Sequence, residues 1–139
     1  MSHLVLLIRA AGVLLCVIAA ANLFVPAKLD YAQNLARLSP IVRQVFVIHS
    51  LFVVLVVIGS GGLCLFLAPR LIAADPLSIA VSTFLSLFWS LRFVLQVRYF
   101  DKDFARRHLL AHISYSLACA FLAVIFMAAT WQGLAWGIL

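Results

Sequence analysis

Several polar residues interrupt the apolar stretches of this sequence, and their types are those that bind anions, metals or protons. They are Asn22, His49, Arg92, Gln96, His108 and His112. Histidine changes charge near neutral pH, so His49 and His112 are the predicted general acid or base of any catalysis. Arginine binds phosphate and carboxylate groups through several N–H donors. The sequence contains no Gly-x-Ser-x-Gly motif, so no nucleophile is evident.

The elements that must position these residues are four apolar stretches, each long enough to cross a bilayer as a helix. A crossing takes about 20 residues, and the stretches cover about 4–25, 42–68, 77–97 and 109–131. Pro26 and Pro40 bracket the first connection, and Pro69 and Pro76 bracket the second, where proline favours helix boundaries. The connections are short, so consecutive helices should be antiparallel. The sequence therefore predicts one all-α domain over residues 1–139, an integral membrane four-helix up-down bundle.

The composition supports a membrane location and argues against nucleic-acid binding. Hydrophobic residues make up 67% of the chain and charged residues 10%, whereas soluble proteins have roughly 45–50% and 25%. The net charge of the chain is +6, and the basic residues lie beside the apolar spans. Their predicted partners are therefore the anionic headgroups of membrane lipids.

The distribution of Lys and Arg predicts the orientation in the membrane. Seven basic residues lie on the first and third connections and two on the opposite side: Lys28, Arg37, Arg43, Arg98, Lys102, Arg106 and Arg107 against Arg9 and Arg70. We therefore expect both termini outside the cytoplasm, in a bacterial inner membrane. The first 22 residues also have the pattern of a signal peptide. We interpret them as a membrane helix, and cleavage is the alternative.

One strongly polar residue on each span lies at nearly the same depth. With a rise of about 1.5 Å per residue, Asn22 lies about 6 Å inside the predicted cytoplasmic end of its span. His49 and Arg92 lie about 9 Å inside, and His112 about 7.5 Å. Ionisable residues inside a membrane are expensive and commonly functional. If these faces point inward, they form a polar pocket in the cytoplasmic half of the bundle.

The predicted pocket would bind a lipophilic molecule with an anionic or polar head, such as a lipid, an isoprenoid phosphate or a quinone. Its arginines would hold the head, and the tail would lie along the apolar wall. The predicted substrate-binding residues are Asn22, His49, Arg92, Gln96, Arg98, Arg106, His112 and Tyr115. In the alternative interpretation, each polar side chain only joins neighbouring helices, and Arg92 extends to the interface.

The histidines also allow two cofactor hypotheses. His49 and His112 at one depth would suit a b-type haem, while His49, His108 and His112 would suit a divalent metal. The metal hypothesis is weakened because the sequence has no His-Glu-x-x-His motif and no glutamate on any helix. Asp101 and Asp103 are candidate Mg²⁺ ligands beside a phosphate.

A further alternative needs no pocket chemistry. Small four-helix proteins also serve as non-catalytic subunits or scaffolds of larger membrane complexes, or form homo-oligomers. Glycine and serine patches on the second and third spans would then be partner surfaces, although close packing within the bundle is the simpler explanation for them.

Two segments resemble a group of small bacterial four-helix integral membrane proteins that have no assigned activity. They are RQVFVIH at 43–49 and PLSIAVSTFLSLFWSLRFVLQVRYFD at 76–101, and they include Arg43, Arg92, Gln96, Tyr99 and Asp101. The resemblance implies the four-helix topology and carries over no chemistry.

Overall fold

In the computed structural model, which describes residues 2–28 and 31–137, long helices alternate with short ones. The long helices are α1 (Ser2–Lys28), α3 (Pro40–Phe66), α5 (Pro76–Arg98) and α7 (Leu109–Gly137), and the short ones are α2 (Tyr31–Ala36), α4 (Ala68–Leu71) and α6 (Lys102–Arg107). Within the described ranges, four helices are long and apolar enough to cross a membrane: His3–Phe24 in α1, and the whole of α3, α5 and α7. The predicted all-α four-helix membrane bundle is therefore confirmed. The helix that contains the fourth predicted span continues to Gly137.

Local sequence explains where α3 and α5 begin. Each helix has proline in its first turn, where the missing N–H is not needed. Asp75 caps α5, because its side chain accepts a hydrogen bond from the backbone N–H of Ser78 at 3.0 Å. The Ser78 hydroxyl donates to the same carboxylate. These hydrogen bonds, chiefly the one from the Ser78 side chain, lower the pKa of Asp75.

The bundle consists of two helix pairs. α1 packs mainly on α3 and α5 mainly on α7, and the pairs meet through α1 and α7. A Cβ atom on Gly12 would lie 2.9 Å from the Cβ of Cys64 and 3.0 Å from the carbonyl oxygen of Gly61. A Cβ atom on Gly133 would lie 2.9 Å from Cγ1 of Ile79. Glycine thus permits the close approach of the helices within each pair.

The buried serines of α5 contribute to packing in the same region. Ser78, Ser82 and Ser86 are buried, at a spacing of four residues that places them on one helix face. The Ser82 hydroxyl donates to the carbonyl oxygen of Leu71 at 2.6 Å, which ties α5 to α4.

Tight packing is confined largely to one half of the bundle. We call this the closed half; its fully buried side chains include Ile8, Leu15, Cys64, Ser82 and Phe126. The open half contains the ends of the long helices near Phe24, Pro40, Arg98 and Leu109. There, residues 40–49 of α3 are all exposed, and so are residues 109–111 of α7. Most of the polar residues singled out above belong to the open half.

Candidate functional site

The candidate site lies in the open half, along the contact between α5 and α7. Trp89, Arg92 and Gln96 recur every three or four residues on α5 and therefore share one face. His112 and Tyr115 lie one turn apart on α7 in the same way. Because the helices are antiparallel, the last of the α5 residues meets the first of the α7 residues. This arrangement produces two cross-helix contacts, one turn apart.

The first contact joins Gln96 to His112. The Nε2 atom of Gln96 lies 3.0 Å from Nδ1 of His112. An amide nitrogen only donates, so Nδ1 accepts and the proton of the neutral imidazole is on Nε2. Gln96 is 2% exposed, and its Oε1 atom is buried without a hydrogen-bond partner among the described residues. The amide nitrogen of Gln96 is therefore held by His112, while the amide oxygen is enclosed and has no partner among the described residues.

The His112 ring is also held by an aromatic neighbour. Phe100 stacks on it with ring centroids 5.2 Å apart and an angle of 28° between the planes. Phe100 belongs to the irregular corner between α5 and α6. The imidazole is thus oriented from α5 and from this corner together.

The second contact joins Arg92 to Tyr115. The guanidinium carbon of Arg92 lies 5.2 Å from the centroid of the Tyr115 ring, which is within the range of a cation–π interaction. Arg92 is half-buried, and the aromatic face keeps its guanidinium against α7.

No carboxylate in any span can neutralise Arg92. The four acidic residues of the chain are Asp30, Asp75, Asp101 and Asp103. All of them lie outside His3–Phe24, α3, α5 and α7. The cation–π contact compensates the charge only in part, because an aromatic ring carries no net charge.

The other predicted site residues lie elsewhere. Asn22 is half-buried, and its Nδ2 atom donates to the carbonyl oxygen of Ile18 in its own helix at 2.9 Å. His49 is exposed on α3, which packs on α1 and only marginally on the α5–α7 pair. Arg98 and Arg106 are exposed near the open end. The contacts of the structure therefore join Gln96 to His112 and Arg92 to Tyr115. These four residues are half of the predicted substrate-binding residues.

The structure bears on the metal hypothesis for the three histidines. In the described part of the chain, no three His, Cys, Asp or Glu side chains come together as a metal site, so His49, His108 and His112 do not form one. A ligating histidine typically donates one ring N–H outward and binds the metal through the other nitrogen. In His112 the nitrogen facing the protein accepts a hydrogen bond instead. His49 is exposed on α3, and its pairing with His112 on a b-type haem stays a prediction.

Two aromatic residues extend the site beyond the polar residues that sequence reasoning assembled. The stacking of Phe100 on His112 was not expected, because Phe100 lies outside the spans and its spacing from His112 has no helical period. Trp89 is the second of these aromatic residues. It is 2% exposed, and its indole N–H has no hydrogen-bond partner among the described residues. Its spacing of three from Arg92 and seven from Gln96 is the signal that places it on their face.

Comparisons of the chain with family models, with curated proteins and with solved structures found no match. The functional argument therefore rests on the contacts of the α5–α7 pair.

Proposed function

We propose that this protein binds a lipophilic molecule with an anionic or polar head, and that the head lies against Arg92 in the open half of the bundle. The observation that carries the proposal is an arginine inside a span, in a chain whose spans contain no acid. An arginine at the centre of a membrane helix costs roughly 2.5–3.5 kcal/mol on insertion scales. A cation–π contact returns about 0.5–2 kcal/mol. A phosphate or carboxylate from a bound molecule would offset the remainder.

The open half supports access for such a molecule from the bilayer. Exposed apolar side chains surround it, including Ile48, Phe52, Val94 and Leu110. A lipid, an isoprenoid phosphate or a quinone would place its tail along this surface. Arg92, Gln96, His112 and Tyr115 would contact the head, with Asn22, His49, Arg98 and Arg106 around the opening.

The proposal includes an orientation in a bacterial inner membrane. Arg43, Arg98, Lys102, Arg106 and Arg107 are exposed at the open end. Basic residues of this kind favour the cytoplasmic side and interact with anionic headgroups. The open half would then face the cytoplasmic leaflet, with both termini on the other side.

Any acid–base chemistry on the bound head would fall to His112. It is the histidine oriented by two neighbours in the site, and its Nε2–H is the group available to donate a hydrogen bond to the head. His49 would act only if the ligand brought α3 towards the α5–α7 pair.

The proposal is tested by purifying the protein in mild detergent and identifying bound molecules by native mass spectrometry. Arg92→Gln should remove most of the bound anionic amphiphile, because it removes the buried charge. Arg70→Gln removes a charge of the same kind at an exposed position outside the open half and should retain the ligand. Equal amounts of ligand on both variants would contradict the proposal. A Soret band in the visible spectrum would support the haem hypothesis instead, and a stoichiometric metal ion would support the metal hypothesis.

A second function, as a subunit or scaffold of a larger membrane assembly or of a homo-oligomer, is favoured by one observation. Residues 40–49 of α3 are all exposed, and in the described structure a Cβ atom on Gly59 or Gly62 would meet nothing within 4 Å. Small residues on an open face favour helix association in lipid. Cross-linking from cysteines introduced at Gly59 and at the exposed Leu87 would test it; preferential linkage through Gly59 is expected.

A further inference from the structure

The enclosed oxygen of Gln96 is the part of the site that the proposed function leaves unexplained. Buried polar atoms are nearly always hydrogen-bonded, and an unpaired one destabilises the folded state. The Gln96 amide cannot satisfy itself by rotating, because its nitrogen already donates to Nδ1 of His112. The oxygen is therefore an acceptor without a donor among the described residues.

The position of this acceptor relates it to the anion site. Gln96 follows Arg92 by four residues on the same face of α5, which is about 6 Å along the helix axis. A head held at Arg92 by its phosphate would need a second group, one turn nearer the open end, to reach Gln96. A short polyol joined to the phosphate has a hydroxyl at that distance.

We infer that the ligand is a phosphodiester lipid whose head bears a hydroxyl, which donates a hydrogen bond to Oε1 of Gln96 while the phosphate lies against Arg92. This inference rests on the proposed function and names the class of head that the site selects. A hydroxyl suits the position better than an ammonium group, because an ammonium group would add a positive charge beside Arg92 and the exposed basic residues of the open end.

The packing of the site implies a movement on binding. Oε1 is enclosed in the ligand-free arrangement, so the contact around the amide has to open to admit the hydroxyl. The open half permits this movement, because the neighbouring ends of α3 and α7 are exposed. The Phe100 ring rests on His112 from an irregular corner, so its displacement would not require a helix to move.

The test compares two lipids with the same acyl chains and the same single negative charge. Phosphatidylglycerol carries hydroxyls on its head, and phosphatidylmethanol carries none. Binding of each to the purified protein is titrated by native mass spectrometry. We expect the wild-type protein to bind phosphatidylglycerol about tenfold more tightly, the size of effect produced by one buried acceptor left unpaired.

Variants assign the preference to the amide oxygen. Gln96→Met should bind both lipids with equal affinity, close to that of the wild-type protein for phosphatidylmethanol. Gln44→Met, the same substitution at an exposed position of α3, should keep the preference. Arg92→Gln should lower the affinity of the protein for both lipids by the same factor. If Gln96→Met does not fold, the affinities of the wild-type protein for the two lipids still test whether the site prefers a head with a hydroxyl.

The outcomes separate the two proposals. Equal affinity of the wild-type protein for the two lipids, with both lost in Arg92→Gln, overturns the hydroxyl inference and leaves the proposed function intact. Failure to bind either lipid overturns the hydroxyl inference, and the co-purified molecules of the wild-type and Arg92→Gln proteins then test the proposed function by themselves. Displacement of bound phosphatidylglycerol by soluble glycerol 1-phosphate at equal concentration would show that the site takes a free polyol phosphate, and would overturn the assignment to a lipid.

Discussion

The α1–α3 pair and the α5–α7 pair both use small residues to bring two helices close together, but their contacts extend over different lengths. α5 and α7 touch from Ile79 and Gly133 at one end to Gln96 and His112 at the other. α1 and α3 meet closely around Gly12 and Gly61, and residues 40–49 of α3 remain exposed. Side chains are held in a fixed geometry only where two helices stay in contact. The polar groups that pair across helices are accordingly found in the α5–α7 pair.

The comparison also explains why equal depth in the membrane does not suffice to build a site. His49 and His112 lie at similar predicted depths, yet only His112 has neighbours that orient its ring. A pocket needs depth, facing direction and continued helix contact together. Residues 40–49 of α3, which include His49, are exposed and lack the continued helix contact.

The largest predicted effect comes from a cavity in the α5–α7 pair. Phe126 is fully buried, so Phe126→Ala should lower the free energy of unfolding by about 3–5 kcal/mol, the usual range for a core phenylalanine. Phe84→Ala is the matched control, because Phe84 is 59% exposed on α5. This variant should lose much less free energy of unfolding. Unfolding in detergent, followed by circular dichroism with increasing SDS, measures both. Equal losses would contradict the assignment of tight packing to this pair.

The next prediction tests the close contact of the α1–α3 pair. Gly12→Val places a side chain where a Cβ atom is already 2.9 Å from Cβ of Cys64. We expect a loss of about 1–3 kcal/mol in the free energy of unfolding, as for other overpacked sites.

Gly59→Val is its control, because the same substitution faces open space on α3. The difference between the two variants in the SDS titration reports the helix contact alone. If both variants unfold alike, α3 does not pack on α1 through the Gly12 region.

A smaller effect is expected from the aromatic face below Arg92. Tyr115→Leu removes the ring, and Tyr115→Phe keeps it but removes the hydroxyl. We expect Tyr115→Leu to destabilise the protein by about 0.5–2 kcal/mol relative to Tyr115→Phe, the value of a cation–π contact. The same pair of variants should also differ in the amount of bound anionic amphiphile. Identical behaviour of the two variants would mean that the Tyr115 ring does not hold Arg92.

Sequence reasoning predicts the four spans well, because apolar length is a property of each segment by itself. It also identified Arg92, Gln96, His112 and Tyr115 as candidates, since polar residues in apolar spans stand out without any knowledge of packing. It did not separate them from Asn22 and His49. Which face of a helix meets a neighbour depends on all four helices at once, and hydrophobic periodicity is weak when lipid and protein interior are equally apolar.

The smallest predicted effect concerns the junction between the two pairs, where Asp75 caps α5. Its hydrogen bonds from Ser78 favour the ionised carboxylate and hold its pKa below the ordinary value of 3.8. A group with a lowered pKa in the folded state stabilises that state above the unfolded pKa, and the contribution disappears as the pH falls through the folded value. Stability should therefore decline slightly below about pH 4.

Asp75→Asn isolates this effect, because asparagine also caps helices but does not ionise. The thermal unfolding temperature of the variant should lack the decline that Asp75 causes in the wild-type protein below about pH 4. Asp101→Asn, at an exposed position that does not cap α5, is the control and should retain the decline. An identical pH profile for Asp75→Asn and the wild-type protein would show that the cap adds nothing to the junction. The two pairs would then be held together by α1 and α7 and by the hydrogen bond of Ser82 to Leu71.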